Sequence, residues 1–419
     1  MGTLRLSCGH VSIARASHDR LSFPSQAHPY SVSFAVVFFG YHILLAMPGD
    51  DFIANGRRGL GFAVLVYLII CSWQLRDSLL VRPHPVFWRL IKGLAFLYLF
   101  SLVWLSFQTV DDARHLLSYW DPALGVPLED QSYAVACDIF TPDDPVSQYR
   151  NIYDAFFNEN GRWIFMDVFV VSHVLGWLVK MIMLRDVRLT LMASVLFELY
   201  EVTFKHMLAN FAECWWDSIV LDVIVCNGAG IVLGYFYLRL FRCKMYNFLG
   251  SVDVVNAEGH KVRRWKPLVS FRYLVGPLLV LACLALIELN AFFLKFILWL
   301  PAPHHLNLSR IVFWGFVGMA GTRELYHKME NPSAPFGMMI ALIFLLSTLE
   351  AVICYKMSTG LFKETMPVAI KTAWIVVFAA LFLFSALYYP IQHHKNSDNK
   401  QVVYPSAAEG AAAIKPKLA

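Results

Sequence analysis

Long apolar runs alternate with short polar or basic segments along most of the chain. An α-helix needs about 20 apolar residues to cross a bilayer. Ten runs approach or exceed that length, at 30–47, 59–75, 86–107, 163–184, 187–208, 218–241, 271–299, 309–328, 335–354 and 366–389. The pattern predicts an all-α, polytopic integral membrane protein with about ten transmembrane helices.

Composition supports this prediction. The chain is 58% hydrophobic and 16% charged, whereas soluble domains have roughly 45–50% apolar and about 25% charged residues. A soluble globular protein is therefore excluded. The basic loop 242–270 is assigned to orientation and to anionic lipid headgroups, so no nucleic-acid partner is expected.

Lysine and arginine in the short connections predict the orientation, because cytoplasmic loops are enriched in them. With ten spans, the tail 1–29 and the basic loop 242–270 fall on one side, which is predicted to be the cytosol. The acidic loop 108–161 falls on the lumenal side. The predicted organisation is a basic cytosolic tail, a transmembrane domain at 30–389 and a cytosolic C-terminal tail at 390–419, with both termini cytosolic.

One acidic stretch, Phe197 to Gly230, interrupts the apolar pattern. Its acidic and amide side chains are Glu198, Glu201, Asn210, Glu213, Asp217, Asp222 and Asn227. A charged side chain at bilayer depth costs roughly 2.5–3.5 kcal/mol on insertion scales, so such residues indicate function. Acids this close together cannot all ionise without a counter-charge, which points to a divalent cation.

Helical spacing predicts where these groups lie. Glu198 and Glu201 share a face of the fifth predicted span, about 10–15 Å below its lumenal end at about 1.5 Å per residue. Asp217, Asp222 and Asn227 are five residues apart, so successive members lie roughly 140° apart on an ideal α-helix. The set is predicted to converge on a cavity in the lumenal half of the membrane.

Asn210 and Glu213 fall in the turn above that cavity. Carboxylate and amide oxygens favour a hard cation, Ca²⁺ before Mg²⁺ or Mn²⁺. The predicted metal ligands are Glu198, Glu201, Glu213, Asp217 and Asp222. The alternative is a set of structural ion pairs with bases such as Lys205 and Arg239.

His173 lies near the middle of the fourth predicted span, at a depth similar to Glu198 and Glu201. A lone intramembrane histidine is more often a hydrogen-bonded packing residue. A neutral imidazole beside a carboxylate is also a suitable general base. The residues alone leave both interpretations open.

Three smaller signals agree with the predicted topology. Asn307 begins a glycosylation sequon in a lumenal loop, with chance occurrence as the alternative. Lys415 and Lys417 resemble a retrieval signal of the endoplasmic reticulum, although lysine-rich tails also aid solubility. Cys137 and Cys214 both fall on the lumenal side, where a disulfide can form.

Several stretches together resemble the base-exchange phosphatidylserine synthases of eukaryotes. They are ANFAECWWDSIVLDVIVCNGAGIVLG (209–234), RPHPVFWR (82–89), SYWDP (118–122), SYAVACDIFT (132–141), SHVLGW (172–177), FELYEVTFKHML (197–208), ELNAFFLK (288–295) and LEAVICYK (349–356). The resemblance covers about residues 60–390. Ala209 departs from it, since a proline is expected before Asn210, and so does the N-terminal tail.

The resemblance implies a Ca²⁺-dependent transferase of the endoplasmic reticulum membrane. L-serine displaces ethanolamine or choline from phosphatidylethanolamine or phosphatidylcholine, with ethanolamine slightly favoured. The catalytic positions that it implies are His173, Glu198, Glu201, Asn210, Asp217 and Asn227. Asn210 and Arg323 are the substrate-binding candidates, Arg323 for the serine carboxylate. A homodimer is the working expectation.

Two other classes compete with this reading. CDP-alcohol phosphotransferases also make phosphatidylserine, but their D-G-x₂-A-R…G-x₃-D-x₃-D pattern is absent from the sequence. A membrane carrier for an ion or polar solute would also bury acids, although no inverted repeat is visible. His173 also has two roles open to it, as a base or as a nucleophile that forms a covalent intermediate.

Overall fold

The computed structural model describes residues 37–38, 41, 51–128, 168–215, 217–250, 252–255, 261–265, 271–301, 304–331, 334–362 and 364–401. The chain divides into two compact units. The first comprises 1–246 and 279–365, and the second comprises 247–278 and 366–419.

The first unit is helical. Its elements are α1 (Phe52–Gln74), α2 (Pro85–Leu105), α3 (Val110–Trp120), α4 (Val168–Leu184), α5 (Val187–Phe204), a 3₁₀ turn (Ala209–Phe211), a π-helix (Asp217–Asn227) that continues into α6 (Gly228–Leu240), most of α7 (Phe271–Ile297), α8 (His305–Glu330) and α9 (Met338–Met357).

The second unit contains the start of α7, the helix α10 (Val368–Gln401) and a β-hairpin. The strands β1 (Val252–Val255) and β2 (Lys261–Trp265) are antiparallel, with Val252 opposite Trp265. The hairpin lies in the predicted basic loop and is a departure from the predicted all-α fold. α10 also extends past residue 390, where the predicted tail begins.

Within the described ranges, six helical segments are long and apolar enough to cross a membrane: Ile53–Gln74, Pro85–Leu105, Ser218–Leu240, Leu274–Ile297, Met338–Met357 and Val368–Ile391. This result confirms a polytopic membrane protein. α5 and α8 coincide with two further predicted spans but carry more charged residues. The predicted span 30–47 lies largely outside the described residues, and the total of ten and the sidedness of the termini stay predictions.

Capping explains two boundaries that the apolar pattern did not predict. α1 begins at Phe52 because the Asp51 carboxylate accepts from the backbone N–H groups of Ile53 and Ala54, which satisfies two free helix donors. α3 forms inside the predicted lumenal loop, where Thr109 caps it by accepting from the Asp112 N–H. Two acids in its first turn favour the helix further.

A buried ion pair joins four helices in the core of the first unit. Glu350 of α9 is fully buried, and its carboxylate accepts from Arg310 of α8 at 2.7 and 2.8 Å. It also accepts from the Asn290 amide of α7 at 3.2 Å and from the Tyr98 hydroxyl of α2. A buried carboxylate with this many donors is stabilised against the loss of its hydration.

Glycines allow α4 and α6 to approach closely. A Cβ on Gly230 would lie 2.5 Å from the Val174 carbonyl oxygen and 2.8 Å from the Trp177 Cβ. Small residues at such contacts are the usual means by which membrane helices pack tightly. This approach holds the π-helix, which precedes α6, against α4.

We expect Gly230→Ala to destabilise the protein by about 1–3 kcal/mol, because the methyl group would push α6 away from the α4 backbone. The measurement is the melting temperature of the purified protein in detergent. Gly176→Ala is the matched control, since a Cβ on Gly176 has no neighbour within 4 Å. Equal melting temperatures for the two variants would contradict the close contact.

Candidate active site

A π-helix aligns the polar residues that follow the acidic turn. Residues Asp217–Asn227 adopt it, and its i→i+5 hydrogen bonds bring residues five apart onto nearly the same face. Asp222 and Asn227 therefore lie on one face, and the separation of 140° expected for an α-helix is wrong. The side chain of Asp217 lies outside the described residues.

His173 of α4 and Asp222 of the π-helix form a hydrogen-bonded pair. The His173 Nδ1 and Asp222 Oδ1 atoms are 2.8 Å apart, and Asp222 is buried. An ionised carboxylate only accepts, so Nδ1 carries the hydrogen, and in the neutral form of the imidazole Nε2 then keeps its lone pair. Such a partner orients an imidazole and increases its basicity.

Cys226 lies close to this pair. One ligand atom each of His173, Asp222 and Cys226 falls within 4.8 Å of the others. The sequence analysis missed Cys226, although its spacing of four residues from Asp222 was a usable signal. A thiolate would favour a softer metal than calcium.

Asn227 is fully buried and connects the π-helix to α5. Its amide nitrogen donates to the Ser194 hydroxyl at 2.9 Å and to Glu198 Oε1 at 3.4 Å. Two acceptors in this contact, Asn227 Oδ1 and Glu198 Oε2, are buried and have no donor in the part of the chain that the structure describes. Buried acceptors left unpaired destabilise a fold by about 1–3 kcal/mol each, so the site is suited to a cationic or hydrogen-donating ligand.

Glu201 adds a third buried carboxyl group. It is close enough to Glu198, Glu213 and Asp222 for their charges to act on it. Among the described residues, no lysine or arginine forms an ion pair with Glu198 or Glu201. The structural ion pairs considered from the sequence are thus not formed by these two acids.

Lys205 and Arg239, the two bases considered for structural ion pairs, do not pair with Glu198 or Glu201 in the part of the chain that the structure describes. Arg239 donates to the Tyr235 hydroxyl at 2.9 Å. Lys205 is exposed at the C-terminal end of α5. Neither of these two bases therefore neutralises the acid cluster.

The acidic turn lies where the sequence predicted it. Asn210 is in the 3₁₀ turn, with its side chain outside the described residues. Glu213 follows, and Ser218 donates a hydrogen bond to its carboxylate at 3.5 Å. Cys214 is disulfide-bonded, and its pairing with Cys137 stays a prediction because Cys137 is outside the described residues.

Arg323 is not brought to the acid cluster. It interacts with Tyr246, whose backbone N–H donates to the Arg185 carbonyl at the far end of α4 from the residues around His173. Asn307 of the sequon lies in the first turn of α8, where its amide donates to the Pro301 carbonyl at 2.7 Å. Glycosylation of Asn307 stays a prediction.

A second ion pair near the site was missed by the sequence analysis. Lys180 of α4 contacts Glu288 of α7 at 2.5 Å, and its ammonium nitrogen lies 3.7 Å from the centre of the Trp177 ring. The usable signal was the spacing of seven residues between His173 and Lys180, which places both on one face of α4.

Taken together, the fold and the site define an integral membrane protein with a histidine–aspartate pair and an uncompensated acid cluster among apolar helices. Comparison with known proteins narrows this class. The family model described as phosphatidyl serine synthase matches residues 83–358. The chain belongs to the phosphatidylserine synthase family, which confirms the resemblance of its motifs.

Two relatives illustrate the match. The chain is 36% identical over 351 residues to CDP-diacylglycerol–serine O-phosphatidyltransferase 1 of Arabidopsis thaliana, with 80% of each chain covered. It is 34% identical over 365 residues to phosphatidylserine synthase 2 of Homo sapiens, covering 83% of this chain and 73% of that one. Of these two proteins, only the plant one has a name that specifies a nucleotide-activated donor.

We expect Glu201→Gln to raise the melting temperature of the protein in chelator, equivalent to about 1 kcal/mol. A neutral amide cannot ionise, so it avoids the burial and repulsion costs that a carboxylate would carry here without a described lysine or arginine as partner, and replacing a strained functional group often stabilises a protein in this way. Glu364→Gln is the control, because Glu364 is exposed. A lower melting temperature for Glu201→Gln alone would show that this carboxyl group stabilises the fold.

Proposed function

We propose that this protein is a Ca²⁺-dependent phosphatidylserine synthase that works by base exchange in the endoplasmic reticulum membrane. L-serine replaces the ethanolamine, or the choline, of an existing phospholipid in a site in the lumenal half of the bilayer. The observation that carries the proposal is the His173–Asp222 pair beside two buried acceptor oxygens to which no described residue donates.

The chemistry of the oxygen donors, rather than their spacing, supports a hard divalent cation, since the close group of three ligand atoms at this site among the described residues is His173, Asp222 and Cys226. Glu198, Glu201 and Asp222 are buried, and the unpaired Glu198 Oε2 and Asn227 Oδ1 are the oxygen types that calcium prefers. Glu213 and Asp217 extend the proposed ligand set. When bound, the cation would supply positive charge next to the phosphodiester and its developing negative charge.

His173 supplies the proton transfer. With Nδ1 held by Asp222, the Nε2 lone pair takes the proton from the serine hydroxyl as the bond from that oxygen to phosphorus forms. The bond from phosphorus to the ethanolamine oxygen breaks, and His173 returns the proton to that oxygen. One phosphodiester replaces another, so no high-energy donor is needed.

Two variations remain within the proposal. His173 could instead attack phosphorus through Nε2, giving a covalent intermediate that serine then resolves. The named donor of the plant relative favours CDP-diacylglycerol as a second candidate. Against it, the chain lacks the D-G-x₂-A-R pattern of the CDP-alcohol phosphotransferases.

The donor assay tests the proposal directly. We expect purified protein to incorporate labelled L-serine into lipid from phosphatidylethanolamine or phosphatidylcholine with Ca²⁺, and to lose that incorporation in chelator. CDP-diacylglycerol is the comparison donor. Incorporation only from CDP-diacylglycerol would overturn base exchange, and incorporation from no donor would favour a membrane carrier.

We expect Asp222→Asn to lower kcat about 10–100-fold, as for other partners that orient a functional histidine. The asparagine preserves size but cannot hold Nδ1–H with a charged acceptor. His173→Ala should cost about 10²–10⁴-fold, the usual contribution of a general base. Initial rates at saturating Ca²⁺ give both numbers, with melting temperature as the folding control. Full activity of Asp222→Asn would refute the assigned role.

A further inference from the structure

We propose that Lys180 and Glu288 form the binding site for the zwitterionic head of L-serine. Lys180 would bind the carboxylate, and Glu288 would bind the ammonium group. This inference rests on the proposed function and names the groups that recognise the incoming amino acid.

The ion pair has the character of a binding site for charged groups. Lys180 Nζ lies 2.5 Å from Glu288 Oε1, 3.7 Å from the centre of the Trp177 ring and 5.5 Å from the centre of the Phe197 ring. Aromatic faces together with a carboxylate are a common environment for an ammonium ion. Here the protein's own lysine provides that ammonium ion.

The pair is placed within reach of the proposed base. His173 and Lys180 lie on one face of α4, two turns or about 10.5 Å apart along the axis. Helical side chains tilt toward the N-terminus, so the Lys180 side chain extends toward His173. Phe197, which contacts Lys180, is followed directly by Glu198 of the acid cluster. A serine held by Lys180 would therefore direct its hydroxyl toward His173.

The carboxylate of this pair differs from that of the Arg310–Glu350 pair in its exposure and in its number of donors, whereas Arg310 is as exposed as Glu288. Glu350 is completely buried and accepts from Tyr98, Asn290 and Arg310. The Lys180 and Glu288 side chains are 23% and 19% exposed. Among the described residues, Lys180 is the ion-pair partner of Glu288.

Glu288 also borders a cleft between α5 and α7. Phe197, Tyr200 and Leu284 are among the other residues that line it. The cleft has room for about one water molecule, roughly 10 Å³, so it exposes the Glu288 carboxylate, and serine must displace the Lys180 ammonium group to reach it.

Charge complementarity selects serine. A zwitterion that enters between Lys180 and Glu288 replaces one ion pair with two and leaves the net charge unchanged. Ethanolamine and choline lack a carboxylate and would leave Lys180 without an anion. Because base exchange is reversible, ethanolamine is also an acceptor in the proposed reaction. Its ammonium group requires Glu288, and it has no carboxylate that would require Lys180.

The test compares two acceptors in one variant. Lys180→Met keeps the aliphatic chain and removes the charge. We expect its incorporation of labelled L-serine to fall at least tenfold through a higher KM, while incorporation of labelled ethanolamine stays within twofold of wild type. Lys295→Met is the control, since Lys295 is a partly buried lysine elsewhere on α7.

Each other outcome contradicts the assignment. An equal loss with both acceptors would make Lys180 structural, and no loss with either would remove it from the site. Glu288→Gln should weaken both acceptors, because both carry an ammonium group. If Lys180→Met does not fold, the rise in melting temperature that L-serine gives wild type should be lost in Glu288→Gln, and an equal rise in that variant would contradict the assignment.

Failure of the proposed function gives a different result. If wild type transfers serine only from CDP-diacylglycerol, the proposal of base exchange is wrong. The serine site can still be tested, because the KM of Lys180→Met for serine can be measured with CDP-diacylglycerol as donor. An unchanged KM there would overturn the serine site as well.

Discussion

The constraint on which this structure depends is the cost of placing charge among apolar helices. Glu350 meets it with donors from three other helices, Tyr98, Asn290 and Arg310. A buried carboxylate with that many donors ties its helices together, because removing one partner would leave an uncompensated charge and cost about 3–5 kcal/mol. The stability that this buried ion pair gives the core can thus offset a destabilising group of residues nearby.

The destabilising group is the acid cluster. Glu198 and Glu201 are buried like Glu350, yet neither forms an ion pair with a described lysine or arginine, and Glu198 Oε2 and Asn227 Oδ1 have no donor among the described residues. A protein tolerates buried acids and acceptors of this kind where the binding of a ligand offsets their destabilising effect. The π-helix contributes to this cluster because it places Asp222 and Asn227 on the same side. Such helices often occur at functional sites.

Hydrophobic length and charge predicted much of this arrangement. The apolar runs located the long helices, and the cost of burying acids identified Glu198, Glu201 and Asp222 as functional candidates. The π-helix was not predictable because its hydrogen-bond pattern depends on packing against α4 through Gly230. The Lys180–Glu288 pair joins residues distant in sequence, so spacing alone could only suggest one of its members.

The His173–Asp222 and Lys180–Glu288 pairs also bear on the choice of substrate. In base exchange, the leaving and entering amino alcohols share a hydroxyl and an amine, so the proton transfer at His173 and a carboxylate for the amine serve both directions equally. Only the carboxylate of serine distinguishes the two. A site that favours serine therefore needs a cation that the departing ethanolamine does not use. Lys180 meets this requirement because it lies on the same face as His173, whereas Arg323 interacts with Tyr246 beyond the end of α4.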